Sequence, residues 1–259
     1  MIYLKSEEQI AGIKDACAIW KKVRSELLKF IRVGITTKAI DLKARELIIS
    51  YGAIPTFYQL YNFPNNICIC ANHELIHGVA SDYTLKENDL VTLDIGVTYK
   101  GYICDAAFSL ILQPNTDQEK KQILKATYAA LMQAIEIIKP GIYTGDIGYS
   151  IETTANKYGY EVIKDFTGHG CGIKPHEDPS IFNYGIPGTG TRLVPGMVLC
   201  LEPMLLTDSD EYVIDKKNKW TVTSKNKKLT CHFEHMVLVT ENGNINLTYC
   251  EDEKHLINN

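Results

Sequence analysis

Apolar residues recur at helical spacing, every three or four positions, in four stretches of the chain. Ser6 with Gln9, and Thr116 with Glu119, are capping-box signals at the start of the first and third stretches. Glycine or proline follows the last three stretches, as is usual where helices end. The predicted helices run over about 7–32, from Thr36 or Thr37 to near Gly52, from Thr116 to Pro140-Gly141, and from Thr144 to before Gly159.

The predicted helices form two similar pairs. Gly34-Ile35 and Tyr51-Gly52 in the first pair recur about 107 positions later as Gly141-Ile142 and Tyr158-Gly159. Segment 85–94, LKENDLVTLD, likewise resembles segment 193–202, LVPGMVLCLE. The shared offset indicates two related halves, each a helix pair followed by strands. We predict one catalytic α+β domain over 1–259, with halves at roughly 5–112 and 113–248.

A β-hairpin is predicted at the end of the first half. Residues 89–98 and 101–111 are rich in β-branched and aromatic residues, with a turn signal between them. If Tyr99 and Lys100 form the loop, Asp94 lies directly opposite Asp105; a bulge would shift this register. Carboxylates so placed repel each other. Three interpretations stay open: a shared proton, a divalent cation between them, or one aspartate facing water.

The second half adds two acids in apolar strands. Glu202 lies in MVLCLEPM, at the position that matches Asp94 in the repeat, and Glu234 lies in CHFEHMVLV. Four buried carboxylates would be costly without neutralisation, and two divalent ions would balance their charge. His169, flanked by glycines in TGHGCG, is a further candidate ligand. Such donors favour manganese, iron or cobalt, with zinc as an alternative, and two such ions can activate water.

Two more histidines lie in loop segments that contain glycine or proline: His77 in HELIHGVAS and His176 in KPHEDP. Loops of this kind often carry functional residues, and an imidazole there could stabilise an oxyanion or orient a scissile amide. A structural role is the alternative for each. The other four histidines have no comparable context and are interpreted as structural or exposed: His73, His232, His235 and His255.

Composition narrows the class of protein. The chain has 259 residues, of which 45% are hydrophobic and 22% charged, with a net charge of -4, which is typical of a globular protein. Without a basic excess, no nucleic-acid function is expected. No apolar run approaches the roughly 18 residues of a membrane span, and the N-terminus does not resemble a signal peptide. The eight scattered cysteines suggest free thiols and therefore a cytoplasmic location.

The series LDIGVTYKGYICD, GHGCGIKPHEDP, LEPM and FEH resembles the type 1 methionine aminopeptidases. The similarity extends from about residue 5 to residue 248. It implies the creatinase-like "pita-bread" fold, an α+β fold of two pseudo-symmetric halves in which antiparallel sheet is covered by two helix pairs. It also implies removal of the initiator methionine from nascent proteins, with a preference for a small second residue. The ligands of two divalent metal ions would be Asp94, Asp105, His169, Glu202 and Glu234.

The same resemblance implies roles around these ligands. Glu202 would also accept a proton from the attacking water, His176 would hydrogen-bond the substrate at the scissile amide, and His77 would position the substrate and the departing peptide. The implied pocket for the methionine side chain consists of Phe57, Leu60, Phe63, Cys68 and Trp220. The implied partners are nascent polypeptide N-termini, with transient ribosome contact as an option, and we expect a monomer without membrane association.

Three alternatives are less well matched. Proline-specific peptidases resemble the chain at the ligands but usually carry an added N-terminal domain, for which this sequence has no room. The type 2 enzymes carry a helical insertion in the second half, whereas only 25 residues separate His176 from Glu202. A non-catalytic binding module on the same scaffold would be expected to lose ligands, and all five are present.

Overall fold

A computed structural model describes residues 2–258. The helices are α1 (Glu7–Phe30), α2 (Thr37–Ser50), α3 (Gln118–Glu136), α4 (Thr144–Lys157) and α5 (Glu253–Asn258). The first four match the predicted helices, and the capping box of Ser6 and Gln9 is present at the start of α1. Within the described residues, none of these helices combines the length and the apolar character that crossing a membrane requires.

The cap of α3 differs from the prediction by one residue. Asp117, rather than Thr116, is the N-cap, and its Oδ1 accepts hydrogen bonds from the backbone N–H of Glu119 (3.1 Å) and Lys120 (3.2 Å). Aspartate is at least as good an N-cap as threonine, so either residue fits the sequence pattern. The Thr116 backbone N–H instead donates to Asn88 Oδ1 at 2.7 Å, which places Thr116 outside the helix.

The strands pair antiparallel throughout, in four sheets. They are β1 (Ile54–Pro55), β2 (Cys68–Ala71), β3 (Glu74–Ile76), β4 (Leu90–Tyr99), β5 (Tyr102–Ile111), β6 (Glu161–Val162), β7 (Thr167–Gly170), β8 (Glu177–Phe182), β9 (Val198–Leu201), β10 (Met204–Leu206), β11 (Tyr212–Ile214), β12 (Val222–Ser224), β13 (Thr230–His232), β14 (His235–Thr240) and β15 (Gly243–Asn246).

Two of the sheets carry the candidate site. In the first half, β4 pairs with β5 on one edge and with β1 and β2 on the other. In the second half, the order is β15-β14-β9-β7-β8. Backbone hydrogen bonds join the two halves: Glu234 N–H donates to Ala107 O (2.9 Å) and Ala107 N–H to Glu234 O (3.3 Å). The predicted α+β architecture is therefore present, and the backbone of Glu234 lies against β5, the strand that carries Asp105.

The helices pack their apolar faces on these sheets. The Trp20 side chain of α1 is fully buried, and its indole N–H donates to the carbonyl of Ala106 on β5 at 3.2 Å. Its ring meets Phe108 edge-on at 6.3 Å. Because Ala106 adjoins Asp105, this contact fixes the backbone from which a candidate ligand projects.

The predicted β4–β5 hairpin is present, but its loop lies one residue further along the chain than expected. Tyr99 pairs with Tyr102, so the two loop residues are Lys100 and Gly101. Both have positive φ, +51° and +84°. Tight hairpin turns with positive φ at both loop positions match the twist of the strands, and glycine adopts such angles at little cost.

This loop changes the cross-strand partners of the two aspartates. Asp94 pairs with Ala107 and Asp105 with Gly96, so the expected direct opposition of Asp94 and Asp105 was wrong. The register differs by two positions, and side chains alternate faces with a period of two. Asp94 and Asp105 therefore still share one face of the hairpin, as diagonal neighbours.

Candidate metal centre and substrate cavity

The second-half acids lie at the ends of two paired strands. Glu202 directly follows β9, and Glu234 directly precedes β14. Leu201 and His235, the neighbours of these glutamates, are cross-strand partners. The two glutamates are thus brought to the same end of the sheet, where Glu234 also bonds to the backbone of β5.

His169 faces the same acids from β7. Its cross-strand partner is Cys200 on β9, and its Nε2 lies 3.4 Å from Glu202 Oε1. Its Nδ1 lies 2.9 Å from the carbonyl oxygen of Gly170, which can only accept, so Nδ1 carries the proton and Nε2 is left free for a ligand. A Cβ on Gly168 would lie 2.3 Å from the Cys200 carbonyl, so glycine allows this close approach.

The five predicted metal ligands line one cavity of about 380 Å³. Ligand atoms of Asp105, His169 and Glu234 lie within 4.8 Å of one another, close enough to share an ion. Asp94 and Glu202 line the same cavity. The structure therefore brings together acids that are far apart in the sequence.

Burial makes the charged form of these carboxyl groups unfavourable. It raises the pKa of Asp94 well above its ordinary value, with the charge of Asp105 adding to the effect. It raises the pKa of Asp105 to about 7. Burial is also the main cause of the strongly raised pKa of Glu202 and of Glu234, followed by the charges of the neighbouring acids. Without a counter-charge, such groups would take up protons.

Several oxygens in this cluster lack a hydrogen-bond partner. Among residues 2–258, Asp94 Oδ1, Asp105 Oδ1 and Glu234 Oε1 are buried and unpartnered. Within the same range, the ion-pair contacts of the four acids are those of Glu202 with the imidazoles of His169 and His232. Buried carboxylate oxygens without partners are unfavourable unless cations neutralise them, and divalent ions fit this donor set.

A thiolate site is a weaker interpretation of the same region. Cys171 and Cys200 also have sulfur atoms within 4.8 Å of a His169 nitrogen. Burial raises the pKa of both thiols, which keeps them protonated. Four carboxylates with one imidazole suit manganese, iron or cobalt better than a soft thiophilic ion.

The two loop histidines flank this centre. His176, directly before β8, has its ring 4.5 Å from that of His169, edge-on. His77, directly after β3, has a φ of +54° and meets Trp220 edge-on at 6.2 Å. Burial lowers the pKa of His77 to about 4, with the charge of His176 adding to the effect, and burial also lowers the pKa of His176. Both imidazoles are therefore neutral at pH 7.

The predicted methionine pocket is an apolar wall of the same cavity. Phe57, Phe63 and Cys68 are buried in one cluster, against which Leu60 and Trp220 pack. Phe63 and Trp220 meet edge-to-face at 5.3 Å. All twelve residues predicted for the site line this cavity. Six further lining residues were not predicted: Tyr61, Ile76, Asp165, Phe166, Thr167 and Met204.

His232 lies closer to the site than its sequence context suggested. The sequence left a structural or an exposed position open; His232 is 1% exposed, which excludes the second, and its Nε2 lies 3.8 Å from Glu202 Oε2. Neither ring nitrogen has a hydrogen-bond partner among the described residues. Burial lowers the pKa of His232 to about 3, and the charge of His77 adds a smaller effect in the same direction. Its position two residues before Glu234 was the one signal in the sequence.

Comparison with known proteins identifies the family of the chain. The sequence profile of metallopeptidase family M24 matches residues 11–241, which include all twelve site residues. The chain belongs to metallopeptidase family M24. It is therefore an enzyme, a metal-dependent peptidase of the hydrolase class.

Relatives of this M24 peptidase place it more narrowly. It is 40% identical over 247 residues to a methionine aminopeptidase of Mycoplasma genitalium, covering 94% of this chain and 98% of the relative. The crystal structure of methionine aminopeptidase from Rickettsia prowazekii matches with a TM-score of 0.93 at 33% identity, over 96% of this chain and 100% of that one. The prolidase of Pyrococcus furiosus matches with a TM-score of 0.77 at 27% identity, over 96% of this chain but 66% of that one.

These matches confirm two predictions made from the sequence. The resemblance to methionine aminopeptidases is confirmed by the relatives, and the pita-bread α+β fold is confirmed by the matching structures. The proposed boundary between the two halves, near residue 112, stays a prediction.

Proposed function

We propose that this M24 peptidase removes the N-terminal methionine from proteins and peptides, with a preference for a small second residue. The observation that carries the proposal is the shared cavity, in which a carboxylate–histidine centre adjoins an apolar wall. Such a site binds a free N-terminus at its polar end and an apolar first side chain at the other. The chain's similarity to methionine aminopeptidases supports the same activity.

Two divalent ions are the proposed cofactors. Asp94, Asp105, His169, Glu202 and Glu234 would hold them, and two double positive charges would balance the four carboxylates. Bound there, such ions lower the pKa of water and polarise a carbonyl group. Manganese, iron or cobalt suits the donors, with zinc as an alternative.

Glu202 is the proposed proton carrier. Its side chain is 12% exposed and lines the cavity, so it can reach a water molecule as well as the centre. A carboxylate at this position can accept a proton from the attacking water and return it to the departing amine.

His176 and His77 are the proposed hydrogen-bond donors to the substrate. His176 lies against His169, and His77 lies at the apolar end, beside Trp220. A neutral imidazole N–H can stabilise the charge that develops on a scissile carbonyl oxygen, or it can orient the amide. We assign the first role to His176 and substrate positioning to His77.

The first side chain of the substrate is proposed to bind against Phe57, Leu60, Phe63, Cys68 and Trp220. Phe57, Phe63 and Cys68 are nearly buried already, which indicates a preformed wall. Methionine is unbranched and polarisable, so it can follow a narrow apolar cleft and contact aromatic rings at its sulfur.

The proposed partners are the N-termini of nascent polypeptides, with transient ribosome contact, and the proposed location is the cytoplasm. All eight cysteines are free, seven of them buried, as is usual for proteins of reducing compartments. The net charge of -4 does not favour a nucleic-acid function. We propose that the enzyme acts as a monomer.

A peptide assay tests the proposed function. Metal-stripped protein is incubated with Met-Ala-Ser after addition of manganese, cobalt, iron or zinc, and free methionine is measured. We expect methionine release that depends on the metal and slows strongly for Met-Trp-Ser. Release of Met-Ala in place of free methionine, or cleavage of Met-Pro-Ser but not of Met-Ala-Ser, would contradict the proposal. His255→Ala serves as the control variant, because His255 is exposed and does not line the cavity.

A further inference from the structure

Glu177, the residue after His176, forms an ion pair with Lys5 from the N-terminal segment. The exposed fractions of the two side chains are 1% for Lys5 and 0% for Glu177. Removing one partner of a buried ion pair leaves an uncompensated charge, which the protein must relieve by moving. The position of Glu177 therefore depends on Lys5.

Glu177 also closes the loop that carries His176. Its second carboxylate oxygen accepts hydrogen bonds from the backbone N–H groups of Ile173 (2.8 Å) and Lys174 (2.9 Å). One side chain thus ties the start of the loop to its end. Charge-assisted bonds to backbone N–H groups are stronger than neutral ones, so the loop is held as one unit.

The N-terminal segment is itself held by hydrogen bonds to the 173–177 loop and to neighbouring backbone. The Lys5 backbone N–H donates to the Gly196 carbonyl at 2.9 Å, and its ammonium group donates to the Tyr3 carbonyl at 3.0 Å. The Tyr3 hydroxyl lies 3.3 Å from the Lys174 ammonium group, and Ile2 forms a parallel bridge with Asp178. Lys5 therefore has a fixed position from which to hold Glu177.

The His176 ring lies between two other rings, those of His169 and Tyr61. One side of its ring meets His169 edge-on at 4.5 Å, and Tyr61 stacks on it at 6.2 Å with an interplanar angle of 17°. A displacement of about 1 Å at a reacting group can cost on the order of 100-fold in rate. Small movements of the loop should therefore be visible in turnover.

We propose that Lys5 is a positioning residue for His176: through Glu177, its ammonium group holds the 173–177 loop so that the imidazole meets the substrate. The inference rests on the role proposed above for His176. It assigns part of the reaction geometry to a residue that does not line the cavity.

A matched pair of variants separates positioning from general stability. Lys5→Met keeps the apolar stem and removes the charge next to Glu177. Arg24→Met is the control, because Arg24 is equally buried and pairs with Asp252, away from the loop. Both variants are expected to lower the melting temperature. Only Lys5→Met should lower kcat for Met-Ala-Ser, by about 10- to 100-fold, with KM and manganese content close to wild type.

A double-mutant cycle with His176→Ala decides whether the effect passes through the imidazole. If it does, Lys5→Met lowers kcat little further once His176 is absent. An undiminished effect of Lys5→Met in the His176→Ala background would overturn the proposal. Should Lys5→Met not fold, Glu177→Gln takes its place in the cycle, because the amide oxygen can still accept the loop hydrogen bonds.

Hydrogen exchange supplies a readout that does not depend on activity. The amides of Ile173 and Lys174 are expected to exchange faster in Lys5→Met than in wild type and Arg24→Met. Unchanged exchange at both amides would contradict the proposal that Lys5 holds the 173–177 loop. If wild-type protein releases no methionine from any peptide, the proposed function fails, whereas the exchange measurement still decides whether Lys5 holds the loop.

Discussion

Asp94 and Asp105 lie diagonally across the β4–β5 hairpin, and each has a small residue, Ala107 and Gly96 respectively, as its cross-strand partner. A Cβ on Gly96 would lie 2.7 Å from the ring of Phe57, a residue of the apolar wall. The same strand pair therefore positions two candidate ligands on one face and lets the predicted methionine pocket pack closely against its backbone.

The stability of the metal-free protein should depend on pH. The folded-state pKa of Asp94 and Asp105 lies above the ordinary value of 3.8, at about 7 for Asp105. Such groups stabilise the fold when protonated, fully below about pH 4, and the contribution is lost as pH rises through the folded-state pKa. The free energy of unfolding without metal should therefore fall from pH 5 to pH 7.5, by on the order of 1 kcal/mol or more.

Urea unfolding at several pH values measures this dependence, once with EDTA for the metal-free protein and once with manganese. Bound ions replace the protons, so the manganese-loaded protein should not lose stability over the same interval. Parallel pH profiles for the two forms would show that the carboxyl groups are not metal ligands.

His169→Ala and Asp105→Asn should each abolish most metal binding and activity while the fold persists. Both side chains lie in the ligand cluster with Glu234, and each change removes a donor. Metal analysis after dialysis, circular dichroism and the Met-Ala-Ser assay measure the three properties. Full activity in both variants would disprove the ligand assignment, and His255→Ala should match wild type throughout.

His176→Ala should separate turnover from metal binding. Its ring borders His169, but we assign it to the substrate, so kcat should fall about 100-fold while metal content stays near wild type. Atomic absorption on the kinetic samples checks this expectation. Loss of metal in proportion to activity would mean that His176 acts as a ligand.

Trp220→Ala should weaken binding of the methionine side chain. Trp220 packs on Phe63 and lines the cavity, so its removal widens the pocket. KM for Met-Ala-Ser should rise about tenfold or more, and the preference over Leu-Ala-Ser should shrink, since a lost apolar contact costs about 1–3 kcal/mol. An unchanged preference would place the methionine side chain elsewhere.

Local patterns were sufficient to predict the helices and to select the candidate metal ligands, whereas the residues of the methionine pocket were implied by the family resemblance. Periodicity and caps located α1 to α4 because each helix buries one face against a sheet, and Ser6 with Gln9 forms the expected box. The acids could be predicted because a carboxylate in an apolar strand, such as Glu234 before β14, is unusual without a partner.

The register of the β4–β5 hairpin, and the side chains that lie behind the candidate ligands, could not be predicted in this way. Which two residues form the β4–β5 loop depends on small differences in turn energy, and Thr116 and Asp117 compete as caps for a similar reason. The approach of His232 to Glu202 depends on how β13 packs across the chain, which local sequence does not report. The Lys5–Glu177 pair likewise joins residues far apart in sequence.

Anomalous diffraction from crystals of the manganese-loaded protein tests the central claim most directly. We expect two anomalous peaks in the cavity, each contacted by some of the five proposed ligands: Asp94, Asp105, His169, Glu202 and Glu234. Peaks located elsewhere, or a cavity without any peak at saturating manganese, would contradict it.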